Sequence, residues 1–331
     1  MSARDRALGA FAGLALGDAL GMPTQSMSRT EITRRYGRID TLVDAVADQP
    51  IAPGMPAGSI TDDTEQALLL ARLLIDGDGR IDPLVFARAL LDWEADMIRR
   101  GSADLLGPST KRALDLLQSG ADPAEAGRGG STNGAAMRIT PVAIATPPEL
   151  DRLLDAVTEA SLVTHNSSLG IAAAAAIAAA VSAGVDGASL PEALDHAEAA
   201  AAAGAGRGAW SAGGDIAARI RWARDWVSGM DTATLADAVY QVIGTSVAAQ
   251  ESVVAAIALA QALGDRPADA LTLAAGLGGD TDTVAAMCGA ILGAQHGFAG
   301  LPAGPVGTVL TVNRLDLGPV VDGLLEIRGR K

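Results

Sequence analysis

Apolar residues recur at helical spacing along almost the whole chain, and hardly any stretch alternates in the manner of a strand. In the first segment Leu8, Phe11, Ala12, Ala15 and Ala19 share one face of a helix over 3–20. A short basic turn at 29–38 and an irregular stretch lead into a Pro/Gly-rich loop at 50–58. The pattern then predicts a helix after Thr61, followed by helices at 82–99, 109–117 and 135–145, the last broken or kinked by Pro141. Residues 120–132 are Gly-rich and polar and read as a loop. Helices at 149–163, 167–183, 191–203, 215–227, 234–242, 248–263, 267–275, 280–295 and 312–325 complete the set. Connections are short, and neither a compositional break nor a regular repeat divides the chain. One all-α domain over 1–331 is the economical architecture.

Composition explains how such helices pack. The 331 residues are 49% hydrophobic but only 3% aromatic, so bulk comes from Ala, Leu, Val and Gly. Ala combines the highest helix propensity with little volume, which suits closely approaching helices. Asp and Glu total 39 against 25 Lys and Arg, a formal charge of −14 without a basic stripe. Nucleic acid is therefore not an expected partner, although a local basic pocket for a small phosphate ligand is compatible with the pattern. Cys288, the single cysteine, reads as a small buried residue, and without a disulfide framework a reducing, cytoplasmic setting is expected. The Ala-rich run at 169–183 is short and weakly hydrophobic for a bilayer span. It reads as a central core helix, and no membrane association is expected.

Chemistry concentrates at two helix starts. Residues 58–65 run Gly-Ser-Ile-Thr-Asp-Asp-Thr-Glu, with Thr61 or Asp62 as the cap. Residues 276–283 run Gly-Leu-Gly-Gly-Asp-Thr-Asp-Thr, a second acidic start behind flexible glycines. An acidic first turn suits the helix dipole, and capping accounts for either end taken singly. Facing one another, the two ends would present Thr61, Asp62, Asp63, Asp280, Asp282 and Thr283. Four carboxylates and two hydroxyls suit one or two Mg2+ or Mn2+ ions, whereas no Cys/His spacing favours zinc. Between them, Gly130, Ser131 and Asn133 offer donors at a helix start that suit phosphate or ribose hydroxyls, unless Asn133 merely caps it.

Gly17-Asp-Ala-Leu-Gly21, Thr61-Asp-Asp-Thr64, Asn133-Gly-Ala-Ala-Met-Arg138, Thr164-His165 and Gly278-Gly-Asp-Thr-Asp-Thr283 occur in the order found in ADP-ribosylglycohydrolases, which the chain resembles over essentially its whole length. The resemblance implies a large orthogonal bundle of helices with a binuclear Mg2+ or Mn2+ centre in a cleft. It assigns the metal ligands to Thr61, Asp62, Asp63, Asp280, Asp282 and Thr283, with Asp62 and Asp63 nearest the chemical step. It implies cleavage at the anomeric carbon of a ribose, on a small-molecule or protein-linked ADP-ribosyl substrate. By the same resemblance Gly130, Ser131, Asn133 and His165 approach the substrate. Arg138 suits an internal ion pair or a ligand contact equally well. Trp210, Trp222 and Trp226 read as core or wall, with base stacking as the alternative.

Two positions depart from the family pattern. Gln25 stands where several members carry a Glu, and an amide can bind substrate but cannot act as an anionic base. The segment around Asp104 does not match the Asp-containing loop of the nitrogenase-regulating enzymes cleanly. Two rivals therefore accompany the leading reading: hydrolysis of a free nucleoside or other small N-riboside, and a non-catalytic module that binds ADP-ribose. Oligomeric state has no signature in the sequence.

Overall fold

The computed structural model describes residues 1–102 and 106–330; Asp104 lies outside the described residues. The N-terminal third holds α1 (Ala3–Gly21), α2 (Arg29–Tyr36), α3 (Asp62–Asp76), α4 (Pro83–Arg99) and α5 (Pro108–Gln118). The middle holds α6 (Pro123–Ala126), α7 (Gly134–Met137), α8 (Thr140–Ala145), α9 (Leu150–His165), α10 (Ser168–Asp186) and α11 (Leu190–Gly204). The remainder holds α12 (Ile216–Val227), α13 (Thr232–Ala238), α14 (Ala249–Leu263), α15 (Pro267–Leu277), α16 (Thr281–His296), α17 (Ala303–Val312) and α18 (Leu317–Arg328). Among the described residues only isolated β-bridges occur, so the fold is all-α.

Two helices run through the centre with almost no solvent-facing side. In α10, every residue from Ser168 to Val185 is buried, as is all of α16 from Thr281 to Ala294. Among the described residues α10 is the one helix long and apolar enough to cross a membrane, and it is enclosed by other helices. An all-apolar surface of this kind is what a core helix requires.

The closest pairing is between α1 and α16, and glycine makes it possible. Gly9, Gly13, Gly17 and Gly21 recur every four residues and so line one face of α1. A β-carbon on Gly13 would stand under 3.0 Å from the Gly289 carbonyl oxygen, and one on Gly9 equally close to that of Gly293. On Gly17 it would strike the Ala285 carbonyl, and on Gly21 the backbone of Thr281 and Asp282. The two backbones therefore touch directly, and the contact runs up to the first turn of α16. The last turn of α1, which carries Asp18, is fixed against the start of the helix that carries Asp282.

Several boundaries differ from the sequence pattern for identifiable reasons. The basic turn at 29–38 is a helix, α2, whose Ser28 hydroxyl accepts the Glu31 N–H at 3.2 Å and whose Gly37 ends it with φ of 68°. Only Ile32 of α2 is buried, so apolar periodicity carries no signal there. The expected helix at 135–145 is two, α7 and α8, with the break at Arg138 and Ile139 and Pro141 near the start of the second. The expected last helix at 312–325 is α18, which starts later, after Arg314 takes φ of 53°, and α17 occupies a stretch where no helix was expected. Part of the loop at 120–132 forms α6 and a 3-10 turn, and α13 runs on into a π-helical turn at Val239–Ile243.

The glycine contact makes a testable prediction. Gly13→Ala forces a methyl into backbone and should lower stability by about 1–3 kcal/mol. Gly307 sits in α17 with nothing within 4 Å of its missing β-carbon, so Gly307→Ala should be neutral or stabilise by up to about 1 kcal/mol. Thermal melts of the two variants decide it, and equal melting temperatures would refute the close-contact account.

Candidate active site at two acidic helix starts

Asp18, between Gly17 and Gly21, is fully buried and points at the start of α3. Its Oδ1 accepts the Thr61 N–H at 3.0 Å and the Thr61 hydroxyl at 2.6 Å. Its Oδ2 accepts the Thr64 N–H at 3.2 Å and the Thr64 hydroxyl at 2.5 Å. Asp18 thus caps α3 from another helix, while Thr61, in the N-cap position, makes no side-chain cap bond of its own. Burial raises the Asp18 carboxyl to about 6, against the pull of these four donors.

The start of α16 is built differently. Gly278 and Gly279 take φ of 92° and 81°, a region open to glycine and strained for other residues. The Gly279 N–H donates to the Met27 carbonyl at 2.9 Å and the Asp280 N–H to the Thr245 carbonyl at 2.7 Å, which pins the turn on two sides. Asp280 is the N-cap residue but makes no side-chain cap bond. Its Oδ2 instead accepts the Asn133 amide at 2.5 Å, and Asn133 also donates to the Ser252 hydroxyl at 3.0 Å. The Thr283 hydroxyl crosses to Asp63 Oδ2 at 3.2 Å and joins the two acidic ends directly. Asp62, Asp280, Asp282, Thr283, Asn133 and Gln25 line one cleft of about 270 Å3. Capping explains neither end, because neither cap side chain caps.

Carboxylates are concentrated here. Burial, and after it the surrounding carboxylates, hold Asp63 and Asp282 well above the usual carboxyl range, and burial raises Asp280. Asp63 Oδ1 and Asp282 Oδ1 are buried and have no hydrogen-bond partner. Among the described residues no three Asp, Glu, His or Cys side chains are drawn together closely enough to hold an ion as they stand. In donor chemistry, however, two orphaned carboxylate oxygens beside threonine hydroxyls fit a hard divalent cation, and burial without one is costly.

The sequence-predicted substrate residues separate into two groups. Gln25 and Asn133 reach the cleft, together with Thr132 and Gly134. Gln25 Nε2 is buried without a partner. Gly130 and Ser131 lie behind that lining: Gly130 packs on the backbone of Thr164 and His165, and the Ser131 carbonyl accepts the Ala249 N–H at 3.1 Å. His165, the last residue of α9, is fully buried, and Thr132 stands between it and the cleft. Of the tryptophans, Trp222 and Trp226 stack on each other with centroids 5.0 Å apart, and Trp210 is exposed; none lines the cleft.

Arg138, a fully buried guanidinium, connects these parts in a way the sequence did not reveal. It donates to Gln66 Oε1 at 2.9 Å, and Gln66 Nε2 donates to Asp62 Oδ2 at 3.1 Å. On its other side it donates to the Thr164 hydroxyl at 2.5 Å. That hydroxyl's own proton is then available to His165 Nδ1, 2.8 Å away, which leaves the proton on Nε2 for the Thr132 hydroxyl at 3.0 Å. Burial, and then Arg138 and Arg112, lower the His165 pKa well below its ordinary value, which agrees with a neutral ring. Every bond points away from Arg138, one arm to Asp62 and the other to the 130s loop. Its plane also lies 5.2 Å from the Phe86 ring centroid.

Asp18, Thr64 and Gln66, given no role from sequence, therefore support the site, as does Arg138, for which an ion pair or ligand contact was expected and which bonds instead to neutral Gln66 and Thr164. The available signal for Asp18 was an acid embedded in a glycine stripe on an apolar helix. For Gln66, four residues after Asp62, it was helical spacing alone.

Comparison with known proteins follows the same geometry. The ADP-ribosylglycohydrolase family profile matches residues 1–329. An uncharacterised protein of Escherichia coli K12, YegU, is 36% identical over 329 residues, 99% of this chain and 98% of its own. The ADP-ribosyl-[dinitrogen reductase] glycohydrolase of Rhodospirillum rubrum is 34% identical over 52% of this chain and 55% of its own. ADP-ribosylarginine hydrolase Tri1 of Pseudomonas putida is 30% identical over 91% and 73% respectively. A solved ADP-ribosylglycohydrolase-related protein complex superposes with a TM-score of 0.67 at 25% identity, covering 98% of this chain and 99% of its own.

The Arg138 network predicts non-additive substitutions. Gln66→Leu and Thr164→Val should each cost about 1–3 kcal/mol of stability, because each strips a buried partner from the guanidinium. In an Arg138→Met background either change should cost much less, a coupling that a double-mutant cycle by urea unfolding measures. Strictly additive losses would show that the three residues do not act as one unit.

Proposed function

The chain belongs to the ADP-ribosylglycohydrolase family, a glycosidic-bond hydrolase by that membership, and we propose that it cleaves the bond at the anomeric carbon of an ADP-ribosyl group using two Mg2+ or Mn2+ ions. The observation that carries the metal reading is the pair of buried, partnerless oxygens, Asp63 Oδ1 and Asp282 Oδ1, on helix starts that Thr283 ties together. Thr61, Asp62, Asp63, Asp280, Asp282 and Thr283 would hold the ions, which when bound supply Lewis acidity, a more acidic water and an anchor for ribose hydroxyls.

The residues divide the remaining work. Asp63 is enclosed, and the Thr283 hydroxyl orients its Oδ2 at 3.2 Å, so it acts as a fixed ligand. Asp62 faces the cleft with its carboxylate steadied by Gln66, so it is the group able to steer a water or accept its proton. Asn133 keeps Asp280 aimed inward. Carboxylates around the cleft stabilise the positive charge that develops on the ribosyl ring. Gln25 contributes an amide to the same wall and has no part in proton removal.

The names of the relatives make ADP-ribosyl-arginine the first substrate to test. The size of the cleft favours a second reading, a free nucleoside or small N-riboside. About 270 Å3 lies at the small end of ligand sites, enough for a ribosyl group with the rest of a larger substrate outside. A panel of ADP-ribosyl-arginine, ADP-ribosyl-serine and free nucleosides, with Mg2+ or Mn2+, separates the two. Release of ADP-ribose is expected, and turnover of nucleosides alone would replace the first reading with the second. Asp62→Ala and Asp282→Ala should abolish turnover; retained activity in either would place the chemistry elsewhere.

The carboxyl cluster also fixes a pH dependence. Asp63, Asp280 and Asp282 keep their protons to higher pH in the native state than in the unfolded chain, where carboxyls titrate near about 3.9. The native state therefore binds more protons, and without a cation the cluster lowers stability progressively as pH rises above about 4. Added Mg2+ or Mn2+ should raise the melting temperature, and by more at about pH 8 than at about pH 5. Asp282→Asn should diminish the gain. A melting temperature indifferent to both ions at either pH would count against the metal reading.

A further inference from the structure

A second cavity lies outside the acidic cleft and is chemically its opposite. It measures about 660 Å3 and is bounded by α2, the turn after it, α13 and α15. Three arginines line it, Arg29, Arg38 and Arg266, against one carboxylate, Asp269, in a chain whose formal charge is −14. Ile39 and Leu277, both buried, and Leu273 supply an apolar floor. Two of the arginines are held in place: Arg29 by Asp237 at 2.5 Å, and Arg266 by Asp269 at 3.3 Å and Asp265 at 3.8 Å. These pairs are solvent-exposed and individually weak, so a stronger anion can displace or share them. Arg38 has no ion-pair partner among the described residues. Nothing in the carboxylate chemistry of the cleft uses these arginines.

We propose that this groove is a second ligand site, which takes a small phosphate monoester carrying a flat, largely apolar body such as a nucleobase. Guanidinium groups present forks that match phosphate oxygens, and an ester dianion satisfies several of them at once. The volume far exceeds what a phosphate alone would fill. A concave surface with an apolar floor and a few charged groups at its edge is the usual form of a small-molecule site. The Thr232 hydroxyl and the Asp269 carboxylate remain on the wall for hydroxyl or amino groups of such a ligand. The groove also adjoins the acidic site: its wall at Gly276 and Leu277 leads through Gly278 and Gly279 into Asp280. The proposal rests on this groove alone and stands whether or not the hydrolase substrate is the one proposed above.

The test uses the full chain without added divalent ions and AMP as probe, with inorganic phosphate and adenosine as separate arms. Isothermal titration should show saturable AMP binding, with phosphate and adenosine each at least about tenfold weaker because each engages half of the site. Arg38→Ala and Arg266→Ala change exposed side chains and should leave the melting temperature unchanged, yet each should weaken AMP about tenfold or more. Hydrogen exchange should slow over residues 29–39 and 266–277 when AMP is bound. Protection confined to residues 131–134 and 280–283 would assign AMP to the acidic cleft and overturn the proposal. So would equal affinity for phosphate and AMP, unchanged affinity in both variants, or no saturable binding at millimolar concentration.

Discussion

Because Gly9, Gly13, Gly17 and Gly21 put no side chain between α1 and α16, the two helices meet backbone to backbone, and that contact sets Asp18 against the acidic start of α16. Packing is directional at this range. Once Gly21 abuts Thr281 and Asp282, Asp18 has no freedom to face anything other than the start of α3. The start of α3 is then held at the start of α16 and closed by the bond from Thr283 to Asp63. An interior rich in Ala and Gly, with few aromatic rings, is thus more than a compact filling. It allows two helix ends over 200 residues apart in sequence to share one cleft.

The same site shows two ways of burying charge. Asp18 is surrounded by four donors from Thr61 and Thr64, so its burial is largely offset within the protein. Arg138 gives its two terminal nitrogens to neutral groups, Gln66 and Thr164, which extend its influence outward in both directions, while its buried Nε has no partner. Asp63 and Asp282 have no comparable compensation, and each keeps one oxygen without a donor. Desolvated charge with no partner is strongly unfavourable, so in the chain alone Asp63 and Asp282 are held toward their protonated forms, the cost that the proposed cations would relieve.

How much of this was legible depended on whether the information was local. Apolar periodicity and Gly/Pro punctuation gave most of the helices, and the two Asp/Thr-rich starts stood out because each exceeded what a cap requires. Local reading failed at α2, where a Ser28 cap and Gly37 terminator support a helix with a single buried residue, Ile32. It failed again at α17, a helix with only two buried residues, Val306 and Val309, and it placed the break in 135–145 at Pro141 when it falls at Arg138 and Ile139. In the site, Asp62, Asp280, Asp282 and Thr283 line one cleft and Asp63 is joined to Thr283, whereas Thr61 is turned to Asp18, and His165 and Gly130 lie behind the lining. The roles of Asp18 and Arg138 are set by partners far away in sequence, and Gln66 joins a local partner, Asp62, to the distant Arg138.

A helix start rich in Asp and Thr has an ordinary explanation, and distinguishing it from a site requires asking where each oxygen goes. At Asp82 and Asp215 the acid does what capping predicts: Asp82 accepts the Leu84 and Val85 N–H groups and Asp215 the Ala218 N–H. At Asp280 and Thr61 the same residue types occupy the same position and do not cap. The caps of α3 come from α1, and the carboxylate of Asp280 is turned aside by Asn133. At α16 the forgone cap bond sacrifices about 1 kcal/mol, while α3 keeps its cap through Asp18. The Asp280 carboxylate is thereby left to line the cleft while the Thr61 hydroxyl goes to Asp18, and this diversion, more than the acidity itself, sets these two starts apart from Asp82 and Asp215.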